Sequence, residues 1–151
     1  MNIVGNKREG DLYQATKDVS LKEVTQRIRT EARQLVAEWN KVNGEALGKV
    51  KVSVRMPHYG AIDARLEVNG LLYALYREYG EYAFANRLTD RIEHIQSGDA
   101  KFLPLVKLYE LRNAIEEIRS KYNYNNSDAQ VDYFEVRYYG GTDIRNAQGG
   151  Y

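Results

Sequence analysis

The spacing of the apolar residues changes abruptly near Gly48, and this change restricts the chain to a fold with both helices and strands. Between residues 21 and 39 the apolar residues recur at intervals of three and four, which is typical of an amphipathic helix. Between residues 50 and 68 they alternate with polar residues, which is typical of strands with one buried face. The sequence therefore predicts an α+β protein.

The first helix is the most clearly marked element. Ser20 and Glu23 form a capping box at its start, and Asn43-Gly44 predict its end. We therefore expect a helix of about 20 residues. Its apolar stripe consists of Leu21, Val24, Ile28, Ala32, Leu35 and Trp39.

Two strands are expected to follow this helix and to pair as an antiparallel hairpin. They flank the turn tetrad Pro57-His58-Tyr59-Gly60. One face of the hairpin is apolar, with Val50, Val52, Val54, Met56, Ile62, Ala64, Leu66 and Val68. The other is polar, with Lys49, Lys51, Ser53, Arg55, Asp63, Arg65, Glu67 and Asn69.

The remaining pattern predicts more helix and a last strand. Asn69-Gly70 is compatible with a hairpin turn into a third strand and with a break before a helix, and the helix is favoured. Helices are expected over 81–96 and from Pro104 onward, followed by a strand over 131–139. The fold class that follows is a two-layer α+β protein, with a small antiparallel sheet and helices packed on one face.

A chain of 151 residues is the usual size of one domain. We expect a flexible polar arm over 1–17, the α+β domain over 18–139 and a polar tail over 140–151. The chain contains no cysteine, which excludes disulfides and thiolate metal sites. No signal peptide or membrane-spanning run is apparent, so a cytoplasmic location is expected.

Few residues of the sequence suggest a catalytic site. The chain has two histidines, His58 in a predicted turn and His94 on a predicted helix, which is too few for a histidine metal site. Asp132 and Glu135 are three residues apart on a predicted strand and should point to opposite faces, which argues against a magnesium site with Asp128. We therefore predict a protein that is not an enzyme and that needs neither metal nor cofactor.

The charge and the tyrosines suggest candidate contact residues. The net charge is only +1, which argues against a strongly electrostatic nucleic-acid binder. Thirteen tyrosines are nevertheless present, and tyrosine suits both half-buried sheet faces and recognition surfaces. Candidate residues for weak nucleic-acid contact are therefore Lys49, Lys51, Arg55, Tyr73 and Tyr76. Asp63 and Glu67 should partly neutralise the basic strand.

The segment 121–139, KYNYNNSDAQVDYFEVRYY, resembles the C-terminal signature of the large polyvalent protein-associated domains of phage and plasmid proteins. The N-terminal half is similar as well, and together the two parts cover about two-thirds of the chain. Residues 71–104 do not match and are interpreted as an insertion. The residues that carry the signature are Tyr124, Asn126, Ser127, Asp128, Gln130, Asp132, Tyr133 and Phe134.

This resemblance implies a mobile genetic element whose products meet host defences. It suggests a counter-defence protein that binds a host defence protein or a protein–nucleic acid complex, in the manner of an anti-CRISPR or antirestriction inhibitor. The alternative is a nucleic-acid-binding accessory protein of the same elements. The sequence does not specify the target or the oligomeric state.

Overall fold

A computed structural model describes residues 2–4, 7–80, 102–125 and 136–149. It has an α+β fold, as the sequence predicts. In chain order its elements are β1 (Asn2–Val4), β2 (Lys7–Glu9), α1 (Tyr13–Thr16), α2 (Leu21–Leu47), β3 (Lys51–Arg55), β4 (Asp63–Val68), α3 (Gly70–Leu75) with a following π-helical turn (Tyr76–Gly80), α4 (Leu103–Ser120), β5 (Tyr124–Asn125) and β6 (Thr142–Asn146).

The central sheet has three strands in the order β3-β4-β6. The predicted hairpin is confirmed, because β3 pairs antiparallel to β4 with Lys51 opposite Glu67. The expectation that the whole sheet is antiparallel was wrong, since β6 runs parallel to β4 with Ala64 beside Thr142. A parallel neighbour requires a long crossover connection, which here includes α3 and α4.

The helices lie on one face of this sheet, which confirms the two-layer arrangement. Strand β4 shows strict alternation, with its even-numbered residues buried and its odd-numbered residues half-buried. Helices α2 and α4 supply the opposing layer. The fully buried side chains of this core include Val24, Ile28, Ala32, Ala64, Leu66, Val68, Leu105, Leu108 and Ile115. Burial of each large aliphatic side chain contributes about 1.5–3 kcal/mol.

Helix α2 is longer than its sequence signals predict. It runs for 27 residues and passes through Gly44 without a break. It ends where Gly48 adopts a φ of 88°, and Asn69 donates a hydrogen bond to the carbonyl of Leu47 at 2.7 Å. The same Asn69 accepts from the N–H of Leu72 at 2.9 Å and caps α3, so the segment after β4 is a helix.

Helix α2 also covers the free edge of β3. The Arg29 guanidinium donates twice to the carbonyl of Val54, at 3.0 and 2.7 Å. The Asn40 amide bonds both backbone groups of Val50, each at 2.9 Å. These side chains occupy backbone groups that would otherwise be open to another strand.

Both predicted flexible ends contain ordered structure. In the predicted arm, β2 pairs with β5, and the N–H of Gly10 donates to the carbonyl of Asn123 at 2.8 Å. In the predicted tail, β6 completes the central sheet and buries Thr142 and Ile144. Short polar segments such as these have little pattern of their own, and their structure depends on docking against the rest of the fold.

The predicted helix over 81–96 and most of the predicted strand over 131–139 lie outside the described residues. Among the residues that the structure describes, no helix has both the length and the apolar character required to cross a membrane.

Candidate interaction surface

The sheet face opposite the helices forms a continuous polar surface, here named the open face. Alternation along three neighbouring strands places every second side chain on this side. Its members are Lys51, Ser53 and Arg55 on β3, Asp63, Arg65 and Glu67 on β4, and Asp143 and Arg145 on β6.

Opposite charges lie beside each other across this face. The register places Glu67 between Lys51 and Arg145, and it places Asp63 opposite Arg55. Such cross-strand pairs each contribute about 0.2–1 kcal/mol and help to fix the register. The face therefore carries both signs of charge and no large basic patch.

Arg65 lies at the centre of the open face. Its neighbours across the strands are Ser53 and Asp143. The Nε atom of Arg65 is buried and makes no hydrogen bond to any described group of the chain. Arginine carries a planar set of donors that suits carboxylates and carbonyl groups, and the Arg65 side chain as a whole is half-buried on this face.

Two exposed tyrosines lie at one end of the open face. Tyr59, in the β3–β4 turn, is 88% exposed, and Tyr139 is 57% exposed. The N–H of Tyr139 donates to the carbonyl of Gly60 at 2.8 Å, which places its backbone next to that turn. Tyr139 forms an isolated parallel bridge with Ala61, which continues the register of β6 along β4. Tyrosine and arginine are both enriched at protein interfaces.

The position of Tyr139 depends on an arginine that sequence patterns did not indicate. The Arg137 guanidinium donates to Thr16 Oγ1 at 3.0 Å, to the Val19 carbonyl at 3.0 Å and to the Tyr122 carbonyl at 2.8 Å. It also lies 5.6 Å from the centre of the Tyr13 ring. These contacts anchor the chain immediately before it joins the sheet.

A buried ion pair on α4 contacts β6 from the core side of the sheet. Glu116 accepts from Arg119 at 2.9 and 2.5 Å and from the Thr142 hydroxyl at 2.7 Å. The Tyr138 hydroxyl donates to the carbonyl of Arg119. Burial by itself would raise the pKa of Glu116, but the bonds from Arg119 and Thr142 outweigh it and hold that pKa below its usual value. Burial raises the pKa of Tyr138 far above its ordinary value.

The structure exposes some of the contact residues predicted from the sequence and buries others. Lys49, Lys51 and Arg55 are exposed, and the last two lie on the open face. Tyr73 is only 6% exposed and Tyr76 packs against the core, with their ring centres 6.0 Å apart. The assignment of Tyr73 to base stacking was therefore wrong, because α3 turns it into the apolar layer. Tyr76 is half-buried, and its assignment stays a prediction.

Of the residues that carry the family signature, Tyr124 lies in β5, where its ring centre is 4.9 Å from that of Tyr13. The other signature residues, from Asn126 to Phe134, lie outside the described residues, as does His94. His58 is exposed in the β3–β4 turn. In the part of the chain that the structure describes, no group of three or more histidine, aspartate or glutamate side chains is arranged to hold a metal ion.

Comparisons with models of protein families, with curated proteins and with solved structures found no match for this chain.

Proposed function

We propose that this chain is a counter-defence binding protein of a mobile genetic element, which acts in the host cytoplasm by occupying a defence effector of the CRISPR or restriction kind. The observation that supports binding is the open face, with Arg65 at its centre and the exposed Tyr59 and Tyr139 at one end. The counter-defence context comes from the resemblance of residues 121–139 to domains of phage and plasmid proteins.

The mixed charge of the open face favours a protein target over free nucleic acid. Lys51 is opposed by Glu67 and Arg55 by Asp63. A phosphate-binding track requires positive charge along its whole length, because its affinity comes from displacing counterions. An alternating pattern instead selects a partner with complementary alternation and rejects others by like-charge contact.

The second candidate is a nucleic-acid-binding accessory protein of the same elements. It is favoured by the exposure of Lys51 and Arg55 on β3 and of Lys49 just before it. Fluorescence anisotropy with labelled single- and double-stranded oligonucleotides at about 150 mM salt separates the two candidates. We expect weak binding. Sub-micromolar binding that the K49A/K51A/R55A variant loses would instead support the accessory role and contradict the main proposal.

The main proposal is tested in host strains that each carry one defined CRISPR or restriction system. Expression of the chain should raise the efficiency of phage plaquing or plasmid transformation in at least one strain. Arg65→Ala and Tyr139→Ala should each reduce this protection about tenfold or more, which corresponds to roughly 1.4 kcal/mol of target affinity.

Arg33→Ala is the matched control. Arg33 is exposed on α2, away from the sheet, so its removal should leave protection unchanged. No protection in any strain, or equal losses from Arg33→Ala and Arg65→Ala, would contradict the proposal.

A further inference from the structure

Strand β6 forms one edge of the central sheet, and half of its backbone groups point away from β4. Gly141 accepts a hydrogen bond from Ala64 of β4 at 3.0 Å, and Ala147 donates one to the same strand at 2.7 Å. The odd-numbered residues of this segment therefore face β4. Because successive peptide groups of a strand point in opposite directions, the N–H and C=O groups of Thr142 and Ile144 face outward.

Within the described residues, no hydrogen bond reaches the backbone N–H or C=O of Thr142 or Ile144 from the outer side. The opposite edge of the sheet differs, because Arg29 and Asn40 of α2 bond outward backbone groups of Val54 in β3 and of Val50 just before it. The fold thus protects one edge of its sheet and leaves the other as a template for an added strand.

We propose that this edge pairs with β6 of a second copy of the chain, antiparallel and about a two-fold axis at Ile144. In this register the outward backbone groups of Ile144 face those of Ile144 in the second copy, and Thr142 faces Asn146. Both members of each pair carry outward-pointing groups, so they exchange backbone hydrogen bonds. The carbonyl of Asn146 also accepts from Gly149 at 3.0 Å, and a carbonyl oxygen can accept two bonds.

The charges of β6 select this register. With the axis at Ile144, Asp143 lies opposite Arg145 of the second copy, and the reverse pair forms by symmetry. Both side chains are exposed on the open face, where they form a 3.5 Å ion pair within one chain. Moving the axis to Asp143 or to Arg145 places two like charges directly opposite each other, which is destabilising. The strand is therefore complementary to itself in one antiparallel register, which is the requirement for an isologous two-fold interface.

This pairing would join the two central sheets into one, in the order β3-β4-β6 and then β6-β4-β3 of the second copy. The two open faces would become one surface of twice the width. The pairing does not depend on the proposed function, because it involves only the edge of the sheet.

The absence of cysteine from the chain allows a direct test of the register. Asp143→Cys and Arg145→Cys are made as separate variants, and each should unfold at the temperature of the parent because both positions are exposed. Directly opposed residues of this kind have Cα atoms about 4.5 Å apart, which a disulfide spans. Two copies of position 143 would lie about 8 Å apart, which is beyond disulfide reach.

Mild oxidation of an equal mixture should therefore give a disulfide-linked dimer of one D143C chain with one R145C chain. Each variant oxidised alone should give little. Sedimentation of the unmodified protein should show association that increases with concentration, and Asp143→Arg should weaken it while D143R/R145D restores it. A protein that stays monomeric, or cross-linking that is as efficient in each variant alone as in the mixture, would overturn the proposal.

Discussion

Removal of the negative charge of Glu116 gives the sharpest test of how β6 is held. The Glu116→Gln substitution keeps the shape of the side chain but leaves the Arg119 guanidinium buried without its counter-ion. The side chain of Arg119 is 7% exposed and that of Glu116 is 15% exposed. Breaking a buried pair by removing one partner costs about 3–5 kcal/mol. We expect a loss near the lower end of that range, because glutamine still accepts hydrogen bonds.

Glu110→Gln is the matched control on the same helix. Glu110 forms a 3.9 Å ion pair with Lys107, and both side chains are exposed. Exposed pairs contribute less than about 1 kcal/mol. Urea unfolding followed by the fluorescence of Trp39, which packs against the core, measures both variants. E116Q should lower the midpoint by about 1–2 M and E110Q by far less.

The pH dependence provides a second, independent check. The pKa of Glu116 is lower in the folded chain than in the unfolded chain, so its contribution is present above the unfolded pKa, about 4.3. It is lost as the pH falls through the folded pKa. The stability difference between the parent and E116Q should therefore shrink in acid. Equal stabilities of E116Q and E110Q, or a difference that persists unchanged below the folded pKa, would refute the reasoning.

Three further outcomes follow from the structure. Gly140→Ala should lower the free energy of unfolding by about 2 kcal/mol or more, because Gly140 has a φ of 130° and an added Cβ would lie 2.1 Å from the carbonyl of Ile62; Gly141→Ala, with nothing within 4 Å, should cost under about 1 kcal/mol by the same urea assay. Burial and a hydrogen bond to Glu31 raise the pKa of Tyr122 from 10 to about 12, so stability should be lost as the pH rises from 10 to 12; alkaline unfolding of Y122F should show a smaller loss. Thermal unfolding should be unchanged by EDTA, since the chain has no cysteine and two histidines, and a fall of several degrees would contradict this.

The candidate surface was only partly predictable. Alternation along β3 and β4 is sufficient to assign Lys51 and Arg55 to a polar face. The spacing of Tyr73 and Tyr76 did not determine which side of a short helix would face the core, and the fold turns both toward it. Tyr139 had no signal of its own, because its position depends on Arg137 and on pairing with residues far away in sequence.

The sequence alone determined the elements whose apolar residues repeat locally, namely α2, the β3–β4 hairpin and α4, and it therefore determined the α+β class. Local periodicity suffices there because each element must bury one apolar stripe. Tertiary structure decided the end of α2, where Asn69 meets Leu47, and the docking of Gly10 against α4. Tertiary structure also decided that β6 lies parallel to β4. This short polar strand has one apolar residue, Ile144, so it is stable only when it pairs with a neighbour that lies across a long crossover connection.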